Sequence, residues 1–255
     1  MHVIILDTPA EVGSYAAGII LAGAAAGSLR NLGVATGSSP LAIYEALQER
    51  WIPELSALSA FALDEYVGLD YRHPESYHAV IRREVTDRLG LDPQNVHVPD
   101  GMAADLPAAC ARYEEAISSA GGIDLQILGI GRNGHIGFNE PTSSLASRTR
   151  VKTLMSATRK DNARFFSDSA QVPVHCVTQG LGTILDARQV LLVAQGSRKA
   201  QAVARAVEGP VSSMCPASVL QLHPNATIVV DREAAADLAL QEYYRYVQQQ
   251  MEEAL

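Results

Sequence analysis

The sequence predicts an α/β fold in which helices cover both faces of a mostly parallel, open central sheet, Rossmann-like in its alternation of strands and helices. Short apolar runs alternate with longer segments of helical character along the chain. Apolar residues make up 47% of the 255 residues but aromatic residues only 5%, so the core must consist mainly of Ala, Val, Leu and Ile. No repeat, low-complexity tract or linker is visible, and we therefore expect one domain over residues 1–255.

The first half of the chain contains five expected strands and their helices. His2 to Leu6 is apolar and β-branched, which indicates an edge strand. Thr8 and Pro9 resemble an N-cap and a first helical residue, and the helix they begin is expected to run to about Leu29. The other expected strands are Leu32 to Ala35, Leu58 to Leu63, Val96 to Val98 and Asp124 to Ile130. The other expected helices are Pro40 to Arg50, Pro74 to Leu89 and Ala104 to Ala120.

The second half is less regular. Arg150 to Leu154 has alternating charge and is expected to be extended, whereas the strongly apolar runs Gln189 to Ala194 and Ala226 to Val230 predict buried strands. The expected helices are Thr158 to Phe166, Gly180 to Asp186, Ser197 to Val207, Ser218 to Leu222 and Glu233 to Leu255. This order of elements maintains the alternation that a parallel sheet requires.

The charge balance argues against two classes of partner. Twenty basic and 28 acidic residues give a net charge of −8, so we expect neither nucleic acid nor an anionic membrane as a general partner. The uncharged run from Val12 to Leu29 is mostly Ala, Gly and Ser, which favours a tightly packed helix over a membrane span. Cys110, Cys176 and Cys215 are widely spaced and form no C-x-x-C pair, which predicts reduced thiols in a cytoplasmic protein without a zinc site.

The stretch from Asp124 to Pro141 organises the predicted site. It begins as a buried strand and ends in a glycine-rich turn that carries Asn133, His135 and Glu140. Ligands in open α/β sheets bind outside the carboxyl ends of the strands, and an imidazole can transfer a proton at neutral pH. Glu140 or Asn133 could orient its ring. The alternative is an ordinary chain reversal that contains a hydrogen-bonded histidine.

Two other strand ends are candidates for the same site. The segment T-G-S-S-P at Thr36 to Pro40 precedes a helix, whose free N–H groups and dipole would bind an anion through Gly37, Ser38 and Ser39. The alternative is a simple N-cap by one of the serines. Asp64 directly follows an apolar strand, where partial burial could make it a general base. Equally, it could cap the next turn.

Basic residues supply candidate anion ligands. Arg164 and Lys199 could each hold a phosphate, or could be ordinary solvated surface charges. Arg148, Arg150 and Lys152 form an alternating basic strip, which is either a solvated strand face or a second anion site.

Taken together, these motifs resemble those of glucosamine-6-phosphate deaminase, within the wider group of deaminases, isomerases and phosphogluconolactonases. The matching segments are V-A-T-G-S-S-P, L-D-E-Y-V-G-L, H-P-E-S-Y, G-I-G-R-N-G-H-I-G-F-N-E-P, S-L-A-S-R-T-R-V-K-T-L, G-L-G-T-I-L-D-A-R and V-E-G-P. The resemblance implies conversion of glucosamine 6-phosphate and water to fructose 6-phosphate and ammonia, without an organic cofactor or a metal.

The resemblance also implies residue roles. Asp64 would move a proton between C2 and C1 of the sugar, His135 would open the sugar ring, and Glu140 would support His135. Phosphate would bind to the turn of Gly37, Ser38 and Ser39, with Arg164 and Lys199 as its cations. Many members carry Asp at the position of Asn133, and since an amide cannot stabilise an imidazolium as a charge does, we expect a lower pKa for His135 here.

The family further suggests a homo-oligomer, with a hexamer as the allosteric form. Its activator, N-acetylglucosamine 6-phosphate, would bind residues that match Ser143, Arg150 and Lys152; the alternative is an ordinary exposed strand. Three other functions remain open: a galactosamine-6-phosphate deaminase, a 6-phosphogluconolactonase, and a catalytically silent sugar-phosphate sensor.

Overall fold

The computed structural model describes residues 1–166, 168 and 171–253, except the side chain of Glu252. Its strands are β1 (His2–Leu6), β2 (Asn31–Val34), β3 (Ser59–Ala62), β4 (Asp64–Tyr66), β5 (Val96–His97), β6 (Leu125–Leu128), β7 (Arg150–Thr153), β8 (His175–Thr178), β9 (Gln189–Ala194) and β10 (Ala226–Asp231). Its α-helices are α1 (Pro9–Ala25), α2 (Ser38–Glu49), α3 (Tyr77–Ile81), α4 (Asp87–Leu89), α5 (Leu106–Ser119), α6 (Ser156–Asn162), α7 (Leu181–Leu185), α8 (Ala200–Val207) and α9 (Gln241–Glu253). A π-helical segment, Arg82–Thr86, joins α3 to α4.

Seven strands form a parallel sheet in the order β1-β10-β9-β6-β2-β3-β5. The predicted α/β fold is therefore confirmed, and β1 is an edge strand as expected. The central strand is β6, between β2 and β9. Because all seven strands run in one direction, their carboxyl ends share one rim of the sheet. The glycine-rich turn that follows β6 lies at the middle of that rim.

A second, smaller sheet was not predicted. It has the order β4-β8-β7 and is antiparallel. The strand expected from Leu58 to Leu63 corresponds to β3 of the large sheet, and the chain continues directly into β4 of the small sheet. Leu63 is the junction: its N–H donates to Val34 in the large sheet, and its carbonyl accepts from Gln179, just beyond β8. No element was predicted where β8 lies, because its partners are distant in sequence.

Two helix ends differ from expectation for local reasons. The helix α1 ends at Ala25 rather than near Leu29, because Gly27 adopts a positive φ of 67° and turns the chain. The helix α2 begins at Ser38 rather than Pro40, with Gly37 as the N-cap at a φ of 95°.

Two later helices also begin after their expected positions. The helix expected from Pro74 begins at Tyr77, where the Ser76 side chain accepts a hydrogen bond from the Ala79 N–H at 3.2 Å. The C-terminal helix begins only at Gln241, and residues 254–255, which the prediction included, lie outside the described residues.

The small residues of α1 are explained by packing. A side chain at Gly13 would overlap the backbone of Ala42, so the glycine allows α1 and α2 to approach closely. Val12, Ala16, Ala17 and Ile20 are fully buried. This agrees with the prediction of a packed helix for this run. Among the described residues, we find no helix with the length and hydropathy that a membrane span requires.

Candidate active site

The turn that follows β6 holds His135 in one orientation. Its ring Nδ1 lies 2.7 Å from Asn133 Oδ1, and its backbone N–H donates to the same oxygen at 3.1 Å. The Asn133 amide nitrogen donates to Glu140 Oε2 at 2.8 Å, which fixes the amide with its oxygen towards the ring. His135 Nδ1 therefore carries the proton, and Nε2 of the neutral ring keeps its lone pair.

Glu140 supports this arrangement through its contacts with the chain around it. It is 2% exposed, and its second oxygen accepts from the Met155 N–H at 3.1 Å. The distance from His135 Nδ1 to Glu140 Oε2 is 3.7 Å, too long for a direct hydrogen bond. Asn133 thus bridges the two, and the Glu140 charge acts on the imidazole across the amide.

Close packing requires a glycine on one side of the His135 ring. A Cβ atom at Gly131 would overlap the imidazole, so the ring lies directly on the glycine backbone. The Gly131 N–H donates to the His135 carbonyl at 2.8 Å. On the opposite side of the turn, a Cβ atom at Gly134 would lie 2.6 Å from the Cys215 sulfur. The turn is therefore held from both sides.

Burial shifts the pKa values of the two candidate proton-transfer groups in opposite directions. Burial lowers the pKa of His135, and the Lys199 charge lowers it further, while the Glu140 charge opposes this. Burial raises the pKa of the Asp64 carboxyl well above its usual value, and the neighbouring Glu65 charge adds to the increase. Each shift favours the neutral form of the group. Asp64 is 5% exposed and belongs to β4.

The N-terminus of α2 is free to bind an anion. Gly37 is the N-cap and has no side chain, and no side-chain hydrogen bond caps this end. Ser38 and Ser39 are the first two helical residues, so the alternative of a serine N-cap is wrong. Unpaired backbone N–H groups and the positive end of the helix dipole remain at this terminus.

One cavity of about 210 Å³ brings these elements together. The predicted residues that line it are Gly37, Ser38, Ser39, Asp64, His135, Arg164 and Lys199. Lys199 donates to the carbonyl of Ile130 at 2.6 Å, and burial followed by the Arg164 charge lowers the Lys199 pKa. Arg164 is exposed and lies over the Phe165 ring, 4.7 Å from its centre. Asn133 and Glu140 do not line this cavity and reach it only through His135.

The three residues of the basic strip, Arg148, Arg150 and Lys152, lie in separate environments. Arg148 is paired with Glu114 and Asp186, so it is not available to an anion. Arg150 donates to the side chain of Asn139 at 2.8 Å, while its buried second terminal nitrogen has no partner. The hydroxyl of Ser143 is also buried without a partner. Lys152 is partly exposed.

Several polar residues that support the site were given no specific role from the sequence, although Asn139 stands in the glycine-rich turn and Glu65 stands beside Asp64 at the strand end. The amide of Asn139 donates to the carbonyls of Ile136 and Gln179, and Glu65 accepts from the start of α3. The cavity wall also includes Tyr77. The sequence signals were weak: Asn139 and Tyr77 lie in the segments N-E-P and H-P-E-S-Y, but their partners are distant along the chain.

The fold and the cavity define a class of protein. An uncapped helix end and two cations can hold a phosphate, while an imidazole and a buried carboxyl face the same space. Such groups on an α/β fold are those that an enzyme uses for proton transfer on a small phosphorylated substrate.

Comparison with known proteins then identifies the family. Residues 10–229 match the model of the glucosamine-6-phosphate isomerases and 6-phosphogluconolactonases, and the chain belongs to this family. Proteins called glucosamine-6-phosphate deaminase are similar to it: one from Arthrobacter sp. (strain FB24) is 57% identical over 96% of each chain. One from Cutibacterium acnes is 58% identical over 98% of this chain and 97% of its own.

Solved structures agree with the family. A structure described as a monomeric glucosamine-6-phosphate deaminase has a TM-score of 0.90 and 40% identity, and the match covers 93% of this chain and 100% of the other. A 6-phosphogluconolactonase from Trypanosoma cruzi has a TM-score of 0.74 at 20% identity, over 93% and 97% of the two chains, which shows the fold alone. The family resemblance seen in the sequence is confirmed.

Proposed function

We propose that this protein is a glucosamine-6-phosphate deaminase, which converts glucosamine 6-phosphate and water to fructose 6-phosphate and ammonia in amino-sugar catabolism. The observation that carries the proposal is the single cavity that Asp64 and His135 share with the free end of α2. The similar proteins of 57% and 58% identity and the similar structure of 40% identity bear the same activity in their names.

The phosphate is placed at the end of the cavity formed by α2. Backbone N–H groups of Gly37, Ser38 and Ser39 would donate to its oxygens, and Lys199 and Arg164 would neutralise its charge. Fixing the phosphate at this end orients the sugar towards the other two groups, since a bound substrate loses its freedom to rotate.

His135 would open the sugar ring. Its Nε2 lone pair would accept the proton of the C1 hydroxyl and return it to the ring oxygen as the bond between C1 and that oxygen breaks. Asn133 and Glu140 would hold the imidazole in the required tautomer. A lowered pKa suits this role because the ring stays neutral, and thus able to accept a proton, at neutral pH.

Asp64 would move the proton between C2 and C1 of the opened chain. Transfer of the C2 proton to C1, with one amine proton passing to the C1 oxygen, converts the 2-amino aldehyde to a ketimine at C2. Water then hydrolyses the C=N bond, which gives the ketone of fructose 6-phosphate and ammonia. Since burial raises the pKa of Asp64, its carboxylate is a stronger base than an exposed one once ionised.

Three alternatives are separated by one set of assays on the purified protein. We expect ammonia release from glucosamine 6-phosphate, a lower kcat/KM for galactosamine 6-phosphate, and no hydrolysis of 6-phosphogluconolactone. Faster turnover of galactosamine 6-phosphate would assign that epimer as substrate, and lactone hydrolysis without ammonia would assign the lactonase. Binding of glucosamine 6-phosphate without turnover would indicate a sensor.

The contribution of the phosphate end can be measured separately. Replacing Lys199 by Met removes a cation from the cavity, and we expect KM for the sugar phosphate to rise about tenfold or more. Arg188, which pairs with Asp124 outside the cavity, provides the control: Arg188→Met leaves KM unchanged. Equal effects of the two replacements would remove Lys199 from the phosphate site.

We also propose a cytoplasmic homo-oligomer, with a hexamer as the allosteric form, that is activated by N-acetylglucosamine 6-phosphate through Ser143, Arg150 and Lys152. The unpartnered hydroxyl of Ser143 and nitrogen of Arg150 are donors that a phosphate would satisfy. Arg150 also contacts Asn139, next to Glu140, which would connect such a site to the catalytic turn.

Kinetics and light scattering test this part. We expect sigmoidal kinetics that become hyperbolic with the activator, and loss of that response in Arg150→Gln. Hyperbolic kinetics that the activator does not change would remove the activator. A monomer in solution would contradict the proposed oligomer. This test is needed because the similar structure is described as monomeric.

A further inference from the structure

Glu65 is a buried carboxylate next to the proposed base, but on the other face of its strand. Asp64 lines the cavity, whereas Glu65 does not. Successive side chains of a strand point to opposite faces, so the two neighbours serve different surroundings. Glu65 has no exposed surface at all. A fully buried carboxylate is costly unless nearby donors satisfy it.

Four N–H donors satisfy the two Glu65 oxygens. Oε1 accepts from the N–H groups of Tyr66 at 2.7 Å and Tyr77 at 2.9 Å. Oε2 accepts from the N–H of His78 at 2.9 Å and contacts the His78 ring Nδ1 at 2.8 Å. The three backbone contacts are obligatory donors, which a carboxylate accepts with both oxygens.

These contacts connect β4 to the wall of the cavity. Tyr77 and His78 are the first two residues of α3, where the positive end of the helix dipole also favours a negative charge. The helix and its π-helical continuation supply Tyr77, Val80, Arg83 and Glu84 to the cavity lining. The position of this wall relative to Asp64 therefore depends on Glu65.

Several titratable groups surround Asp64 and Glu65. Asp64 interacts electrostatically with Glu65 and Tyr66 of its own strand, Tyr77 of α3, Tyr113 of α5 and Cys176 of β8, and it shares the cavity with His135. Glu65 is faced by Asp64, by His78, and by Tyr71, whose hydroxyl donates to Asp100. Among these groups, Glu65 is the acidic side chain adjacent to Asp64 in sequence.

We propose that Glu65 is a positioning residue with two separable effects: it fixes the start of α3 against the strand that bears Asp64, and it places its carboxylate beside the base. The inference rests on the proposed function, because Asp64 is the base whose ionisation is measured.

Two replacements separate these effects. Glu65→Gln removes the charge, so the acidic limb of kcat/KM, where Asp64 must be ionised, moves to lower pH by roughly one unit. Glu65→Asp keeps the charge but is too short to reach α3, so the acidic limb stays in place while KM rises about tenfold. Ser76→Ala is the matched control: it removes the N-cap of the same helix and lowers thermal stability without moving the limb.

Hydrogen exchange gives a measurement that does not depend on turnover. In Glu65→Gln and Glu65→Asp, the amides of Tyr77 and His78 exchange faster than in the wild type. The electrostatic effect is contradicted if the acidic limb stays in place in Glu65→Gln, or if it also moves in Ser76→Ala. If both KM and the amide exchange are unchanged in Glu65→Asp, the positioning effect is contradicted. Glu65→Asp tests the positioning effect even if Glu65→Gln does not fold. A wild type that releases no ammonia would instead contradict the proposed function.

Discussion

At the scale of single residues, the pair of His135 and Asn133 determines how the candidate site works. The sequence has an amide at position 133, and the structure shows that this amide bridges the imidazole to Glu140. The orientation of the imidazole is therefore preserved without a charge in direct contact. Orientation and charge, which a carboxylate would combine, are divided here between two residues.

This division predicts unequal effects of two replacements. Asn133→Asp places a charge beside the imidazole, which raises the pKa of His135. Because the acidic side of the kcat/KM profile requires both an ionised Asp64 and a neutral His135, that side becomes steeper or moves to higher pH while kcat changes little. Glu140→Gln removes the charge that acts on the imidazole through Asn133 and nearly abolishes turnover. Measured pH profiles and kcat values decide this, and equal, small effects of both changes on kcat would contradict the ranking.

The pKa of Asp64 predicts a conflict between stability and activity. Its folded-state pKa is raised. Between the unfolded and folded pKa values the folded state binds more protons, so the free energy of unfolding falls as pH rises through this range. Each unit of difference corresponds to about 1.4 kcal/mol.

We therefore expect Asp64→Asn to be inactive but more stable than the wild type at pH 7, by denaturant unfolding. The gain should disappear below about pH 4, where Asp64 is protonated in both states. A variant less stable than the wild type at neutral pH would contradict this interpretation of the buried carboxyl.

At the scale of elements, the N-termini of α1 and α2 show two different uses of a helix end. The end of α1 has a complete capping box: the Thr8 side chain accepts from the Glu11 N–H at 3.2 Å, and the Glu11 carboxylate accepts from the Thr8 N–H at 3.0 Å. The end of α2 has Gly37 and no cap, and it faces the cavity. An uncapped end next to a cavity is available to a ligand.

This contrast predicts different consequences of losing a cap. Thr8→Ala should lower the free energy of unfolding by about 1 kcal/mol and leave kcat and KM unchanged, because α1 does not line the cavity. Thermal or denaturant unfolding beside steady-state kinetics measures both quantities. A KM that rises in Thr8→Ala would show that α1 transmits its position to the site.

At the scale of the whole molecule, Thr178 connects the small sheet to the turn that follows β6. In β8 it is paired with Asp64 of β4 on one side and Arg150 of β7 on the other. Its hydroxyl accepts from the Phe138 N–H at 3.1 Å and donates to the Gln179 carbonyl at 3.2 Å. A single side chain thus connects the strand of the proposed base to the catalytic turn.

Thr178→Val keeps the shape of the side chain but leaves the buried Phe138 N–H without a partner, which costs about 1–3 kcal/mol of stability. We expect kcat to fall along with the melting temperature. Thr178→Ser keeps the hydroxyl and should restore most of kcat, which an effect of packing alone would not do. Identical kcat values for the Val and Ser variants would show that the connection does not matter for catalysis.

The sequence alone determined the α/β class, the parallel strands and the family, because hydrophobic periodicity and local motifs are properties of neighbouring residues. It also predicted Asp64, His135 and the N-terminus of α2 as parts of one site, and the structure places all three around one cavity. These residues follow strand ends, and the carboxyl ends of parallel strands must share one rim of the sheet.

Only the tertiary structure decided the rest. From the sequence, Leu63 is the end of an apolar strand. In the structure its N–H bonds to Val34 and its carbonyl bonds to Gln179, so the chain passes from one sheet to the other at this residue. Glu65 looks like a second candidate acid beside Asp64, but the start of α3 occupies both its oxygens. Such hydrogen bonds join residues far apart in the chain, and local sequence carries no record of which distant donor fills a given acceptor.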